Sequence, residues 1–118
     1  MSKRVDGNQN LIVRDLRKAG AQVLILSSVG NGCPDILVGF QGRNYLMEIK
    51  DPMQPPSKQR LTPKEKLFHD LWGTAGQVAV VRTTFEAFCA LGIHWRDAKK
   101  AEAQLFNAAM DASAEETI

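Results

Sequence analysis

Gly32-Cys33-Pro34-Asp35-Ile36-Leu37-Val38-Gly39-Phe40-Gln41-Gly42-Arg43-Asn44-Tyr45-Leu46-Met47-Glu48-Ile49-Lys50 is the stretch on which the reading of this 118-residue chain turns. Two apolar runs flank Gln41-Gly42, which predicts a hairpin closed by a two-residue turn. That turn sets the partners: Phe40 faces Arg43, Val38 faces Tyr45, and Asp35 faces Glu48. Directly opposed residues share a face of the sheet with Cβ atoms roughly 5 Å apart. Alternation along the strand then returns Lys50 to the face of Glu48. Opposed like charges destabilise a sheet, so this register needs a reason. A divalent cation such as magnesium, which takes oxygen ligands, would supply one by bridging Asp35 and Glu48. A bend at Pro34-Asp35 would bring the two acids together even if the turn slipped by one residue.

Upstream, Asp6 and Gln9 have the spacing of a capping box. The helix they open is expected to run to about Ala19, with Leu11, Ile12, Leu16 and Ala19 as its apolar face and Gly20 as its stop. Gln22 to Ser27 is a short strand, and Gly30-Asn31-Gly32 returns the chain to the hairpin. The near-continuous aliphatic runs of these first three strands predict a sheet covered on both faces.

Downstream, residues 51–60 hold three of the five prolines and read as a mobile loop. Its Lys58 and Arg60 are either solvated linker side chains or phosphate contacts that would weaken with salt. Thr62-Pro63-Lys64-Glu65 is a helix start: Thr62 caps, Pro63 takes the first helical position, and Glu65 completes a capping box. Leu67, Phe68, Leu71 and Trp72 follow at helical spacing and are expected in the core. His69 lies on the flank of that stripe, as a packing or phosphate-contacting residue rather than a metal ligand. Gly73 or Gly76 ends the helix. Gln77 to Arg82 is a fourth strand. Thr83 or Thr84 caps a short helix from Phe85 to Leu91, which Gly92 closes. Asp97 to about Met110 is alanine-rich and helix-prone, and residues 111–118 read as frayed.

Pro-Asp, a hydrophobic strand, then Glu-x-Lys resembles the signature of the PD-(D/E)XK nucleases. Gly-x-Pro-Asp-x-x-x-Gly, then Glu-Ile-Lys, then Leu-Thr-Pro and a helix is similar to the virus-type replication-repair nuclease branch, VRR-NUC. The ordered set spans roughly residues 6–92, while the C-terminal segment lies outside it. The resemblance implies an α/β fold with a restriction-endonuclease-like αβββαβ core: a mixed central sheet flanked by helices (residues 1–92), followed by a C-terminal helical extension (residues 93–118). It implies a metal-dependent DNA endonuclease that hydrolyses phosphodiester bonds in phage or bacterial replication, repair or recombination, with structure-specific cleavage of branched or junction DNA as one option beside flaps, free ends and simple duplex. Asp35, Glu48 and Lys50 would be catalytic. Asp35, Glu48 and the Ile49 backbone carbonyl would hold magnesium, with manganese as its substitute. Asp6, Asn8 and Gln9 become candidates for the neighbourhood of the metal, although capping explains any one of them equally well. Lys58, Arg60, Lys64 and His69 become candidates for nucleic-acid contact. Relatives commonly carry glutamine where this chain has Glu65, so Glu65 is either a further metal ligand or simply the capping acid. Stand-alone relatives imply a homodimer, and Trp95 and the 97–110 helix offer apolar surface for it.

Composition bounds these readings without deciding them. The apolar fraction of 44% and charged fraction of 24% suit a single small globular domain. A formal charge of +2 makes any nucleic-acid surface a matter of local clustering. Cys33, His69, Cys89 and His94 lack the paired short spacing of a zinc site. Two cysteines make no secreted disulfide scaffold, and no signal-like or bilayer-length apolar run is visible, so a cytoplasmic protein is expected. The alternative function is a non-catalytic nucleic-acid-binding accessory of the same fold. A small metal-binding structural protein is the third reading, and it leaves Lys50 and the basic loop unexplained.

Overall fold

A computed structural model describes residues 7–116. The central hairpin closes as its sequence requires. Gln41 and Gly42 both take positive φ, 50° and 81°, the pairing that lets a two-residue turn match the twist of its strands. Strands β1 (Gln22–Ile25), β2 (Ile36–Phe40), β3 (Arg43–Ile49) and β4 (Val78–Val81) form one sheet in that order. β2 pairs with its neighbours antiparallel, with Phe40 opposite Arg43 and Val38 opposite Tyr45 as expected. β3 and β4 are parallel, with Glu48 beside Val80. The chain is therefore α/β, a four-stranded mixed sheet with flanking helices and a long C-terminal helix.

One face of the sheet carries the core. Ile36, Val38, Tyr45, Met47, Ile49 and Val81 meet Ile12, Val13 and Leu16 of α1 (Gln9–Lys18) and Ala87 and Phe88 of α4 (Thr84–Ala90). Ile36, Met47 and Ile49 are fully buried, each contributing about 1.5–3 kcal/mol through removal from water. Ile93, Ala98, Ala101 and Leu105 of the C-terminal segment join the same core. The C-terminal helix α5 runs from Trp95 to Glu116, longer at both ends than its alanine-rich centre predicts.

The opposite face departs from expectation. Leu24, Leu37, Leu46 and Val78 form a cross-strand row there, yet Leu24 stays exposed. This face is covered only toward β3 and β4, where Leu46, Glu48 and Lys50 are buried, and lies open at β1. Helix α3 (Pro63–Trp72) packs on β4, but its apolar stripe is not core: Leu67, Leu71 and Trp72 are 60%, 66% and 46% exposed. Helical spacing identifies an apolar stripe but not what lies under it. Here the underlying sheet face ends in charged Glu48 and Lys50, and the stripe turns outward, with Phe68 stacked on Trp72 at 5.3 Å.

Helix α1 is rotated from the predicted face for a related reason. Its buried stripe is Gln9, Ile12, Val13 and Leu16 with Asp15, and Leu11 is exposed. Two polar residues belong to the buried side, so an apolar-only reading selects the wrong turn. Gln9 is the first residue of the helix, its side-chain amide donates to Ser27 Oγ, and Asn8 before it makes no side-chain cap bond. Asp6 lies outside the described residues. The remaining boundaries shift slightly. β1 stops at Ile25 and β4 spans only Val78–Val81. Thr83 caps α4 through the Glu86 amide, and α3 ends at Trp72 before Gly73. The 51–60 loop contains a one-turn helix, α2 (Pro56–Gln59). It is tied down by Gln59, whose amide donates to the Pro52 and Gln54 carbonyls and accepts from Arg82 Nε.

Candidate functional site

The hairpin's open end is where the site is built. The β2–β3 ladder ends at Ile36 and Met47. Asp35 follows as a bend after buried Pro34: its amide donates to the Met47 carbonyl, and its carboxylate accepts from the Ile49 amide at 2.7 Å. A side-chain oxygen thus replaces the backbone acceptor that a continuing strand would supply to Ile49. The bend fixes the Asp35 carboxylate at the backbone next to Glu48 without a full extra ladder rung.

Asp35, Glu48, Lys50 and Glu65 are 2%, 0%, 7% and 4% exposed. The Lys50 ammonium lies 2.9 Å from Glu65 Oε1 and 3.5 Å from Glu48 Oε1. Glu65 Oε1 also accepts from the Thr62 amide at 2.8 Å, and Thr62 Oγ1 accepts from the Glu65 amide at 3.2 Å. The predicted capping box is therefore present, and the same carboxylate that closes it holds Lys50. Sequence spacing reveals the cap. Only the approach of α3 to the end of β3 reveals the ion pair.

Three carboxylates and one ammonium are buried together here. Buried charge is costly unless it is paired or coordinates a metal. Asp35 and Glu48 offer hard oxygen donors of the kind magnesium takes, and that ion is commonly held by one or two protein carboxylates with water and substrate oxygens completing the shell. Among the described residues no group of three or more His, Cys, Asp or Glu side chains forms a metal cluster. The residues fit a cation shared with substrate rather than an all-protein cage. Glu65, tied to Lys50 and Thr62, is placed as a support for the lysine.

The helix α1 candidates divide. Asn8 clamps two strand ends, donating to the Lys50 carbonyl at 3.0 Å and the Arg82 carbonyl at 2.7 Å. Gln9 is buried and its Oε1 has no hydrogen-bond partner among the described residues. It stands at the end of β1, where the Leu26 amide donates to the Asp35 carbonyl. An acceptor oxygen buried in this way is a further feature suited to a cation or its water.

The basic candidates lie outside this cluster. Lys58, Arg60 and Lys64 are exposed, and His69 is half-buried, edge-on to Phe68 at 6.5 Å. Behind the cluster, Gly32 touches the start of α3 so closely that a Cβ there would lie 2.4 Å from the Lys64 carbonyl oxygen. A second buried polar group, Asp15, accepts from Thr84 Oγ1 at 2.6 Å and from Arg14, locking α1 to α4. Sequence reading missed that link, the Asn8 clamp and the grip of Glu65 on Lys50. Each joins residues remote in sequence with no local pattern to announce it. Among the described residues no helix is long and apolar enough to cross a membrane. Comparison with known proteins found no matching family model, no matching curated protein and no matching solved structure.

Proposed function

We propose that this protein is a magnesium-dependent deoxyribonuclease of the VRR-NUC branch of the PD-(D/E)XK nucleases, acting on DNA in phage or bacterial replication, repair or recombination. The observation that carries the reading is the buried group of Asp35, Glu48 and Lys50 at one sheet end. The element order of one helix, three strands, a helix and a fourth strand is compatible with the αβββαβ core, with the one-turn α2 as an insertion. The setting would be cytoplasmic and the assembly a homodimer.

Asp35 and Glu48 would hold the ion, with the Ile49 carbonyl as a third donor. A bound magnesium ion lowers the pKa of water and offsets charge on a phosphodiester. The Ile49 amide keeps the Asp35 carboxylate in place without needing the ion. Lys50, fixed between Glu48 and Glu65, can orient the attacking water or stabilise charge building on the phosphate oxygens. Lys58, Arg60 and Lys64 would contact phosphates.

The test is purified protein with magnesium or manganese against labelled branched, flapped and linear DNAs. Cleavage is expected for wild type and absent for Glu48→Gln. Magnesium alone should raise the melting temperature of wild type and not of Glu48→Gln. Binding without cleavage in any arm would favour the non-catalytic accessory.

A further inference from the structure

We propose that His94, Trp95 and Arg96 form a stacking platform for unpaired bases of single-stranded DNA, apart from the acid cluster. The three planar groups are already layered. The His94 and Trp95 rings stack with centroids 5.7 Å apart, and the Arg96 guanidinium lies over the Trp95 ring at 5.2 Å. The imidazole is fixed by local structure, since its Nδ1 accepts from the Arg96 amide at 3.2 Å. A stack held in this way loses little side-chain freedom when a base adds to it. All three residues are exposed, Trp95 by 54%.

Charge selects the partner. Lys99 and Lys100 follow Trp95 and Arg96 by one helical turn, on the same strip of α5, and both are exposed. Only Asp97 opposes them among the exposed residues from His94 to Lys100. Aromatic faces beside a basic strip match a nucleic-acid strand, whose bases stack while its phosphates meet the cations. The other tryptophan makes the contrast: Trp72 is also half-exposed but stacks on Phe68, and no cation occurs from Leu71 to Val81. Duplex DNA presents no free base faces, so the platform reads unpaired DNA.

Topology separates this platform from the acids. Leu91, four residues before Trp95, accepts from the Tyr45 hydroxyl near the start of β3, whereas Lys50 follows its end. Five residues of strand between Tyr45 and Lys50 span about 17 Å. If the nuclease reading holds, on which this step rests, the substrate is a DNA with an unpaired arm that reaches the far end of the sheet.

Trp72→Phe protein leaves Trp95 as the sole tryptophan, so its fluorescence reports the platform directly. Oligothymidylate is expected to quench it, and a blunt duplex is not. Trp95→Ala should weaken single-strand affinity roughly ten-fold, the loss of one stacked base, while duplex affinity is unchanged; Trp95→Phe should restore most of the loss. No quenching, or equal loss on single strand and duplex, overturns the platform. Binding is measured in Glu48→Gln protein and magnesium-dependent cleavage separately in wild type. Quenching without cleavage then defeats the nuclease reading alone, and cleavage without quenching defeats the platform alone.

Discussion

Glu65 Oε1 stands 2.8 Å from the Thr62 amide and 2.9 Å from the Lys50 ammonium, so one carboxylate oxygen both caps α3 and holds the lysine of the candidate site. Glu65→Gln keeps an oxygen for the cap but removes the charge facing Lys50. It should cost about 1 kcal/mol, whereas Glu65→Ala loses cap and ion pair together and should cost about 3 kcal/mol or more. Urea unfolding of the two variants checks the ranking. Equal losses would mean that the charge facing Lys50, which both variants lack, alone accounts for Glu65, and a Glu65→Gln protein as stable as wild type would leave only the cap. Magnesium titrations run alongside should shift for Glu65→Gln, and unchanged curves would confine Glu65 to the cap.

Lys50 is expected to act on the chemical step more than on capture of DNA. It is one cation, buried between acids, while the exposed Lys58, Arg60 and Lys64 are free to meet phosphates. Lys50→Met, which keeps much of the side-chain volume, should reduce the rate at saturating DNA by about a hundred-fold or more, with affinity changed only a few-fold. A normal rate at saturation would move Lys50 into binding.

Gly32 sets the spacing between the loop that carries Asp35 and the helix that carries Glu65. Its φ of +78° disfavours a side chain, and a Cβ would press on the Lys64 carbonyl. Gly32→Ala should lower stability by about 1–3 kcal/mol from the backbone conformation alone, with further loss from displacement of α3. Gly30, also at positive φ but with nothing near its would-be Cβ, is the control. Gly30→Ala should show only the conformational part. Matching melting temperatures would remove the close approach as a constraint.

A homodimer is expected from apolar surface that the single core leaves open. Leu11 and Phe106 border a cleft of about 310 Å³ between α1 and α5, and Met110, one turn beyond Phe106, is also exposed. Phe106→Asp should shift the protein to monomer in light scattering at micromolar concentration while its melting profile keeps a single transition. Monomeric wild type under the same conditions would rule the dimer out.

What the amino-acid order determined by itself was local. Gln41-Gly42 closes a two-residue turn in which Gly42 takes positive φ without steric cost and Gln41 is carried along with it, and that turn dictates which side chains of the hairpin oppose one another. Thr62-Pro63-Lys64-Glu65 starts a helix through bonds among neighbours, so its capping box was legible before any tertiary contact was known. The same turn placed Asp35, Glu48 and Lys50 at one strand end. Tertiary structure decided what those elements meet. The stripe of α3 was expected to be buried, but periodicity carries no information about the charged sheet end beneath it. The buried face of α1 includes Gln9 and Asp15, whose burial depends on Ser27, Thr84 and Arg14 arriving from elsewhere or turning inward. Glu65 grips Lys50 because a helix fifteen residues downstream folds back over the strand end. Bonds between neighbours follow from backbone geometry, whereas a buried polar contact exists only once the whole core has brought its two partners together.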